Sequence, residues 1–469
     1  MVTPLDPTSL AFLMAENRAM PMHVGGLQLF DKPEGAGRSY SREMYASLRE
    51  VEEIAPLFLR RPYRSPATGG QWVWTTDELF DIDYHVRHSG LPKPGRVREL
   101  LELCSRLHST RLARERPLWE ATLIEGLRDG RMALHTKMHH ALVDGIAASR
   151  LVQSTLSTDP DQRDMPAPWS AANAPRKPSR ELEGRSAPSL AEVPVEALRT
   201  ALGISAEAAG MPSALVRTLV RGIRNDTSAV SLHAPHTIFN QKITGSRRFA
   251  AQDWPIERMK AIGTASGTTL NDVVLAMCSG ALRAYLLEND ALPDRPLVAM
   301  VPVGLNAKQV HQASSDGGNA VGSVMVQLGT HLDDPADRLM SVHTSMADGK
   351  QALSSMTPAQ IVAMTAVGLA PAIITPALRM HHILRPPFNV IISNVPGPRE
   401  TQYFNGARLS GLYPLSIPIH GMALNITCTS YDGVMGFGVT GCRRTVPRLQ
   451  RLLTHLDDEL AALEKATGA

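Results

Sequence analysis

The feature that most constrains the fold is a long internal segment without the apolar periodicity of helices or strands. It follows Leu156 and reads TDPDQRDMPAPWSAANAPRKPSRELEGRSAPS, which is rich in Pro, Ser, Ala and charged residues. This composition is typical of linkers. A chain of 469 residues is also too long for one compact core. The sequence therefore predicts two structured halves, 1–157 and 237–469, joined by a linker with crossover helices over 158–236.

Both halves mix helical and strand patterns. In the first half, Val97–Leu112 has the spacing of an amphipathic helix, and two strand-like runs, EATLIE and RMALHTKM, flank an Asp129-Gly130 turn that predicts a hairpin. In the second half, TTLNDVVLAMCSGALRAYLL predicts a helix buried nearly all round. The runs FNVIIS, GMALNITCTS and VMGFGVTG predict strands, and a leucine-periodic tail predicts a closing helix. The expected fold class is α/β (α+β).

Composition excludes some classes of protein. With 43% hydrophobic and 20% charged residues the chain is neither disordered nor collagen-like, and a net charge of +3 does not favour nucleic acid as a partner. The cysteines form no CxxC pair, which excludes zinc-ribbon or thioredoxin spacing and predicts free thiols in a reducing compartment. The first residues lack the features of a secretory signal, so we expect a cytoplasmic protein. The four cysteines are Cys104, Cys278, Cys428 and Cys442.

Two segments raise the question of membrane contact. Ile361–Leu378 approaches the length of a membrane-spanning helix but contains two prolines, so a buried or interfacial segment is the commoner interpretation. A predicted helix with Arg217, Arg221 and Arg224 opposite an apolar face could lie on an anionic membrane surface. The same helix could instead dock on its own protein as a crossover element.

The most specific motif is HHALVDG at His139–Gly145, where a predicted strand ends and a helix begins. Adjacent histidines on a strand point to opposite faces, so the pair is poorly arranged to share one metal ion. The HExxH spacing of a zinc site is missing, and we predict no metal site. One imidazole can instead face a cavity. Near neutral pH it can accept a proton from a hydroxyl group.

The motif resembles the HHxxxDG motif of the coenzyme A-dependent acyltransferase superfamily. Five further blocks, in order along almost the whole chain, resemble the bacterial wax ester synthase/diacylglycerol acyltransferase family. The resemblance implies two related chloramphenicol-acetyltransferase-like halves with mixed sheets, joined by a long helical crossover. The blocks are PLDPTSLAFLMAE, PMHVGGLQLF, RPLWE, NDVVLA and SNVPGP.

The resemblance also implies roles within the motif. His140 would be the general base and His139 a supporting residue. Asp144 would hold the loop by an ionic contact, and Gly145 would be the small residue beside the substrate. An Asp-Gly pair at such a turn supplies a cap and a permissive backbone whether or not catalysis occurs.

A second candidate lies in the first turn of the buried helix. Thr269 and Asp272 fit a T-x-x-D capping box, so Asp272 is assigned to capping. Asn271 has two interpretations: a local cap, or a hydrogen-bond donor to a developing oxyanion. The resemblance favours the second.

Two other blocks predict the surroundings of the substrate. Pro117-Leu118-Trp119 is expected to form pocket wall, because a tryptophan there anchors packing more often than it reacts. Ser393 and Asn394 open a tight turn that the resemblance places near the active site. Neither block is assigned a chemical step.

The implied function is transfer of a long-chain acyl group from acyl-CoA to a fatty alcohol or diacylglycerol by direct histidine-assisted attack, for storage lipid synthesis. CoA leaves as product, no cofactor is permanently bound, and contact with the inner membrane face or lipid droplets is peripheral. No GxSxG elbow is present, and Cys278 lies within a helix, so a covalent acyl-enzyme has little support. The alternatives are a carrier-dependent condensation enzyme, although no carrier module is visible, and a non-catalytic lipid-surface protein, against which the intact HHALVDG counts.

Overall fold

The computed structural model describes residues 2–37, 39–143, 145–173, 234–304, 321–354 and 386–469. Some expectations fall elsewhere. Asp144, the arginines at 217, 221 and 224, the apolar tract 361–378 and most of the predicted linker lie outside the described residues.

The first half contains the predicted hairpin and helices. The strands EATLIE and RMALHTKM form an antiparallel pair, and the predicted helix at Val97 ends at Ser109. The strands are β1 (Thr3–Pro4), β2 (His23–Asp31), β3 (Arg60–Arg64), β4 (Trp72–Thr76), β5 (Val86–Gly90), β6 (Trp119–Glu125) and β7 (Met132–His139). The helices are α1 (Pro7–Ala15), α2 (Tyr40–Arg49), α3 (Ile82–His85), α4 (Val97–Ser109) and α5 (Gly145–Gln153).

The second half contains the predicted strands and the two predicted helices. All of the strand-like runs named above form strands, and the leucine-periodic tail forms the last helix. The strands are β8 (Arg247–Pro255), β9 (Val298–Gly304), β10 (Val321–Gln327), β11 (Val390–Val395), β12 (Tyr403–Phe404), β13 (Ala407–Leu415), β14 (Leu424–Tyr431) and β15 (Val434–Cys442). The helices are α6 (Ile256–Ser266), α7 (Leu270–Leu287), α8 (Pro335–Ser354) and α9 (Arg451–Thr467).

Two six-stranded sheets dominate the molecule, and both mix parallel and antiparallel pairs. The first has the order β12-β13-β2-β7-β6-β5, and the second β10-β9-β11-β14-β15-β8. A third sheet, β1-β4-β3, has three strands. The α/β fold class with mixed sheets is confirmed. The first sheet, however, draws β12 and β13 from the second half of the chain, so the two halves are interlocked rather than side by side.

Strand β13 also packs on the second sheet, where glycines allow the backbones to approach. A Cβ atom on Gly438 would lie 1.9 Å from the carbonyl oxygen of Pro414, and one on Gly436 would lie 2.6 Å from that of Leu412. Both distances are shorter than non-bonded contacts allow. The glycines of β15 therefore make the junction between the sheets possible.

Helix α4 of the first half covers β8, the edge strand of the second sheet. The Ser105 hydroxyl accepts from the Phe249 N–H at 2.9 Å, and the Ser109 hydroxyl accepts from the Arg247 N–H at 2.8 Å. Unpaired edge groups that would otherwise attract another strand are thereby satisfied. This contact is a second link between the halves.

Helix α7 is the centre of the largest apolar core and packs against α6, α8 and α9. It begins with the expected capping box between Thr269 and Asp272. Among the helices of the described residues, α7 is the one that is long and apolar enough to cross a membrane. Since 72% of that stretch is buried inside the protein, its composition is explained by the core.

Candidate active site

The two motif histidines lie where β7 leaves the first sheet. His139 is the last residue of β7 and pairs with His23 of β2. The next N–H, that of His140, donates to the carbonyl oxygen of Met22 at 2.8 Å. The chain then turns, since the N–H of Leu142 donates to the carbonyl of His139 at 2.8 Å. The predicted strand-to-helix placement of the motif is therefore observed.

His139 faces the protein interior and is fully buried. Its Nδ1 accepts a hydrogen bond of 3.0 Å from the N–H of Ala141, so the proton of the neutral ring is on Nε2. That Nε2 lies 3.6 Å from Oε1 of Glu16, whose side chain is also buried. A group enclosed in this way is in no position to meet a substrate directly.

Glu16 is the buried carboxylate of this region. Burial by itself would raise the pKa of Glu16, but His139, the Met22 N–H and the Arg114 guanidinium together outweigh burial and lower it. Arg114 lies 3.2 Å from Oε2 of Glu16 and donates to the carbonyl of Leu13 at 2.7 Å. The carboxylate is therefore ionised at neutral pH.

His140 has a different environment and is only half-buried. Its ring stacks on the ring of Phe12, with centroids 4.0 Å apart and planes inclined by 18°. An apolar cluster, here called the seam cluster, lies beside this ring. Because it includes Ile417 and Ile419, which follow β13, it contains residues of both halves. Its buried members are Met22, Val24 and Ile417, with Phe12, Ala15, Met20, Ala148 and Ile419 packed against them.

Gly145 begins α5 and is exposed. A Cβ atom there would meet only the side chain of Val24 among the described atoms, at an ordinary 3.9 Å. Packing within the described protein thus does not require glycine at this position. The predicted role of a small residue beside a substrate is compatible with this space and stays a prediction, as does the role of Asp144, which lies outside the described residues.

More buried ionisable groups lie on the same side of β7. Burial lowers the pKa of His108 to about 3, and it lowers the pKa values of His23 and His135 well below their usual range. Lys137 is buried beside Glu120, with Nζ 3.1 Å from Oε2. The three imidazoles are neutral at pH 7 and closed to solvent, so they do not compete with His140 as an accessible base.

Asn271 and Asp272 open α7. The Asp272 carboxylate accepts from the Thr269 N–H at 3.0 Å and lies 2.8 Å from Nδ1 of His343 on α8, a partner that sequence reasoning missed. Asp272 is buried, whereas the neighbouring Asn271 is half-buried. Capping by Asp272 is therefore observed, and a substrate contact of Asn271 stays a prediction.

The PLW block joins the site through its backbone. The Leu118 carbonyl accepts from the His139 N–H at 2.9 Å, and Leu118 shares an apolar cluster with Ala141. Trp119 is buried, stacks on Trp169 and donates from Nε1 to the carbonyl of Phe58 at 2.9 Å. Its contacts are those of a core residue. Pro117 is buried as well, and a pocket-wall role for the three residues stays a prediction.

Ser393 and Asn394 do not open a turn as predicted: they lie within β11, near its end, where they pair in parallel with Thr427 and Cys428 of β14. Both are half-buried. Their predicted proximity to the substrate stays a prediction. All four cysteines are free and buried, and burial raises the pKa of the Cys278 thiol well above its usual value, which disfavours a nucleophilic thiolate there. Among the described residues no cluster of histidine, cysteine and carboxylate side chains could hold a metal ion.

Comparison with known proteins decides the family. The model of the wax ester synthase/diacylglycerol acyltransferase catalytic domain matches residues 5–274, and the model of the C-terminal domain of these enzymes matches residues 317–464. The chain belongs to the wax ester synthase/diacylglycerol acyltransferase family. It is an acyltransferase, and the resemblance inferred from its motifs is confirmed.

Relatives of this acyltransferase match it over nearly its whole length. A Mycobacterium tuberculosis strain H37Rv protein that is named as a diacylglycerol O-acyltransferase is 48% identical over 99% of this chain and 100% of its own. A second, tgs2 of the same strain, is 46% identical over 98% of this chain and 99% of its own. The wax ester synthase/diacylglycerol acyltransferase from Marinobacter aquaeolei VT8 has a solved structure that is 43% identical, with TM-score 0.78 and full coverage of both chains.

More distant structures share the fold alone. The first condensation domain of the calcium-dependent antibiotic synthetase is 15% identical with TM-score 0.57, over 100% of this chain and 97% of its own. This likeness, together with the Marinobacter structure, confirms the chloramphenicol-acetyltransferase-like fold that was predicted for this chain.

Proposed function

We propose that this acyltransferase moves a long-chain fatty acyl group from acyl-CoA to the hydroxyl of a fatty alcohol or a diacylglycerol. The products are a wax ester or a triacylglycerol and free CoA. The observation that carries the proposal is the environment of His140, a half-buried imidazole beside the apolar seam cluster, next to a histidine that is fully buried. An apolar surface of this kind suits acyl chains, and relatives named diacylglycerol O-acyltransferases support the acceptor.

In the proposed reaction His140 accepts the hydroxyl proton while the acceptor oxygen attacks the thioester carbonyl carbon. The tetrahedral intermediate collapses with cleavage of the carbon–sulfur bond. The CoA thiolate leaves and takes the proton from the imidazolium, so atoms and charge balance without a cofactor. Asn271, at the start of α7, is the proposed donor to the oxyanion.

Incubation of the purified protein with palmitoyl-CoA and either hexadecanol or a diacylglycerol tests the proposal. We expect thiol release to depend on the acceptor and to match the ester formed. Direct attack requires both substrates to be bound together, so initial rates should follow sequential kinetics. Ping-pong kinetics, or an acyl adduct trapped on Cys278 or on a serine, would refute direct transfer. Thiol release without an ester product would refute the assigned acceptors.

We also propose that the enzyme works in the cytoplasm as a peripheral protein on the inner face of the membrane or on lipid inclusions. Both lipid substrates partition into such surfaces, which supports the proposal. In flotation with liposomes that contain anionic lipid and a diacylglycerol, the protein should rise with the vesicles. Protein that stays in the bottom fraction at low salt would contradict peripheral binding.

A further inference from the structure

The helix α1 presents three side chains, each to one residue of the histidine motif. The Ser9 hydroxyl donates to the carbonyl of Ala141 at 2.8 Å. One turn later the Phe12 ring stacks on the ring of His140.

The third contact is made by Glu16, the C-cap residue of α1, whose carboxylate lies 3.6 Å from Nε2 of His139. The spacing of the three residues in sequence, three and then four, places them on one helix face. This face runs antiparallel to the motif, so consecutive motif residues meet consecutive turns of the helix.

Both ends of α1 are held independently of the motif. Asp6 caps the first turn by accepting from the N–H groups of Thr8 and Ser9, at 3.0 and 2.9 Å. At the other end the Arg114 guanidinium donates to the carbonyl of Leu13 and contacts the Glu16 carboxylate. A helix secured in this way can act as a rigid reference for the loop that it touches.

We propose that α1 is the positioning element of the histidine pair, in which Phe12 orients the ring of His140 and Glu16 orients the ring of His139. The inference rests on the proposed role of His140 as the base. The Glu16 carboxylate lies 3.6 Å from Nε2 of His139, so its negative charge favours the proton on Nε2 and leaves Nδ1 to accept from the Ala141 N–H. That bond holds the turn containing His140. Glu16 also accepts from the Met22 N–H at 3.4 Å, and the carbonyl of Met22 accepts from the His140 N–H.

A positioning role predicts a loss of turnover without a loss of substrate binding. In Phe12→Leu the side chain stays apolar but the stacked ring is gone, and we expect kcat to fall about tenfold or more, since small displacements of a catalytic group are costly. The KM for palmitoyl-CoA should change less than about twofold. Phe12→Tyr retains the ring at a half-buried position and should keep kcat within about threefold of the parent.

Glu16→Gln tests the second contact. We expect this variant also to lose about tenfold or more in kcat, with KM little changed, because a neutral amide attracts the His139 proton less than a carboxylate does and forms no ion pair with Arg114. Met14→Ala is the matched control, since Met14 lies on the exposed side of the same helix, and it should leave both constants unchanged. Melting temperatures are measured for all variants.

Three results would overturn the proposal: normal kcat in Phe12→Leu, equal losses in Phe12→Leu and Phe12→Tyr, or kcat losses that merely follow the fraction of unfolded protein. The comparison of Phe12→Leu with Phe12→Tyr tests the positioning role of α1 even if Glu16→Gln does not fold. His140→Ala is assayed in parallel. If His140→Ala is inactive while the α1 variants have normal kcat, the assignment of His140 as the base is retained and the positioning role of α1 is wrong. If it keeps full activity, the base and the positioning role are both wrong.

Discussion

Two hairpins of similar design serve different purposes in this enzyme. The hairpin β6–β7 turns near Asp129-Gly130, and β14–β15 turns at Asp432-Gly433. Both place long antiparallel strands in the interior of a six-stranded sheet, with one further strand beyond the hairpin on one side. In the hairpin β6–β7, alternate residues of β7 carry buried ionisable side chains, namely His135, Lys137 and His139. Burial of such groups is costly, so a strand that concentrates them is a candidate for a chemical site.

The second hairpin has glycines where the first has ionisable side chains. Gly436 and Gly438 of β15 allow the backbone of β13 to pack closely against them, and β13 also pairs within the first sheet. Similar local patterns thus produce one strand with a buried ionisable face and one strand whose glycines pack against β13. The difference lies in which side chains each buried face carries, and each face can be altered separately.

The largest effect is expected at the end of the first hairpin. His140→Ala should lower kcat at least ~10²-fold, the usual scale for loss of a general base, while circular dichroism shows a folded protein. His139→Ala should lower kcat less, because its ring is buried and acts through the turn. Cys442→Ala, at the equivalent end of the second hairpin, is the control and should keep kcat. A larger loss in His139→Ala than in His140→Ala would reverse the two assignments.

The next effect is expected at the junction made by the second hairpin. Gly438→Ala places a methyl group against the backbone carbonyl of Pro414, which cannot move aside as a side chain can. We expect a loss of ~1–3 kcal/mol in the free energy of unfolding, as for overpacked cores. Gly90→Ala, in β5 with open space around its Cβ position, should change stability far less. Denaturant titration measures both, and equal stabilities would show that the junction is not closely packed.

The smallest effect concerns the pH dependence contributed by the first hairpin. Burial is the main cause that holds the pKa of His135 well below 6.5 in the folded protein, and the nearby Lys137 ammonium lowers that pKa further. Below pH ~6.5 the unfolded chain therefore binds the extra proton, so stability is full above that pH and falls as the pH decreases. One such group contributes a slope of up to ~1.4 kcal/mol per pH unit.

His135→Leu removes this group. Between pH 6.5 and 5 the slope of the free energy of unfolding against pH should then decrease by the amount that corresponds to about one bound proton. His331→Gln, which replaces a histidine at an exposed position, is the comparison variant. Unfolding titrations at several pH values make the measurement. An unchanged slope in His135→Leu would mean that His135 is already protonated in the folded enzyme.

The structural partners of the site were the least predictable part. The sequence identified the block from Pro4 to Glu16 only by resemblance, and no pattern in it assigns Phe12 or Glu16 to the histidines. The hydrogen bond between Asp272 and His343 and the contact of Arg114 with Glu16 join residues 71 and 98 positions apart. Contacts over such separations depend on how whole elements pack, which local periodicity does not describe.

The sequence by itself determined the local structure of this acyltransferase: the β6–β7 hairpin, the capping box of α7, and the HHALVDG motif at a strand-to-helix turn. These features depend on neighbouring residues, whose backbone preferences and hydrogen bonds act over a few positions. Only the tertiary structure decided which of two adjacent histidines is enclosed and which is half-exposed. His139 ends β7 and His140 begins the turn that follows, and the packing of α1 and the entry of β13 into the first sheet determine what covers each ring.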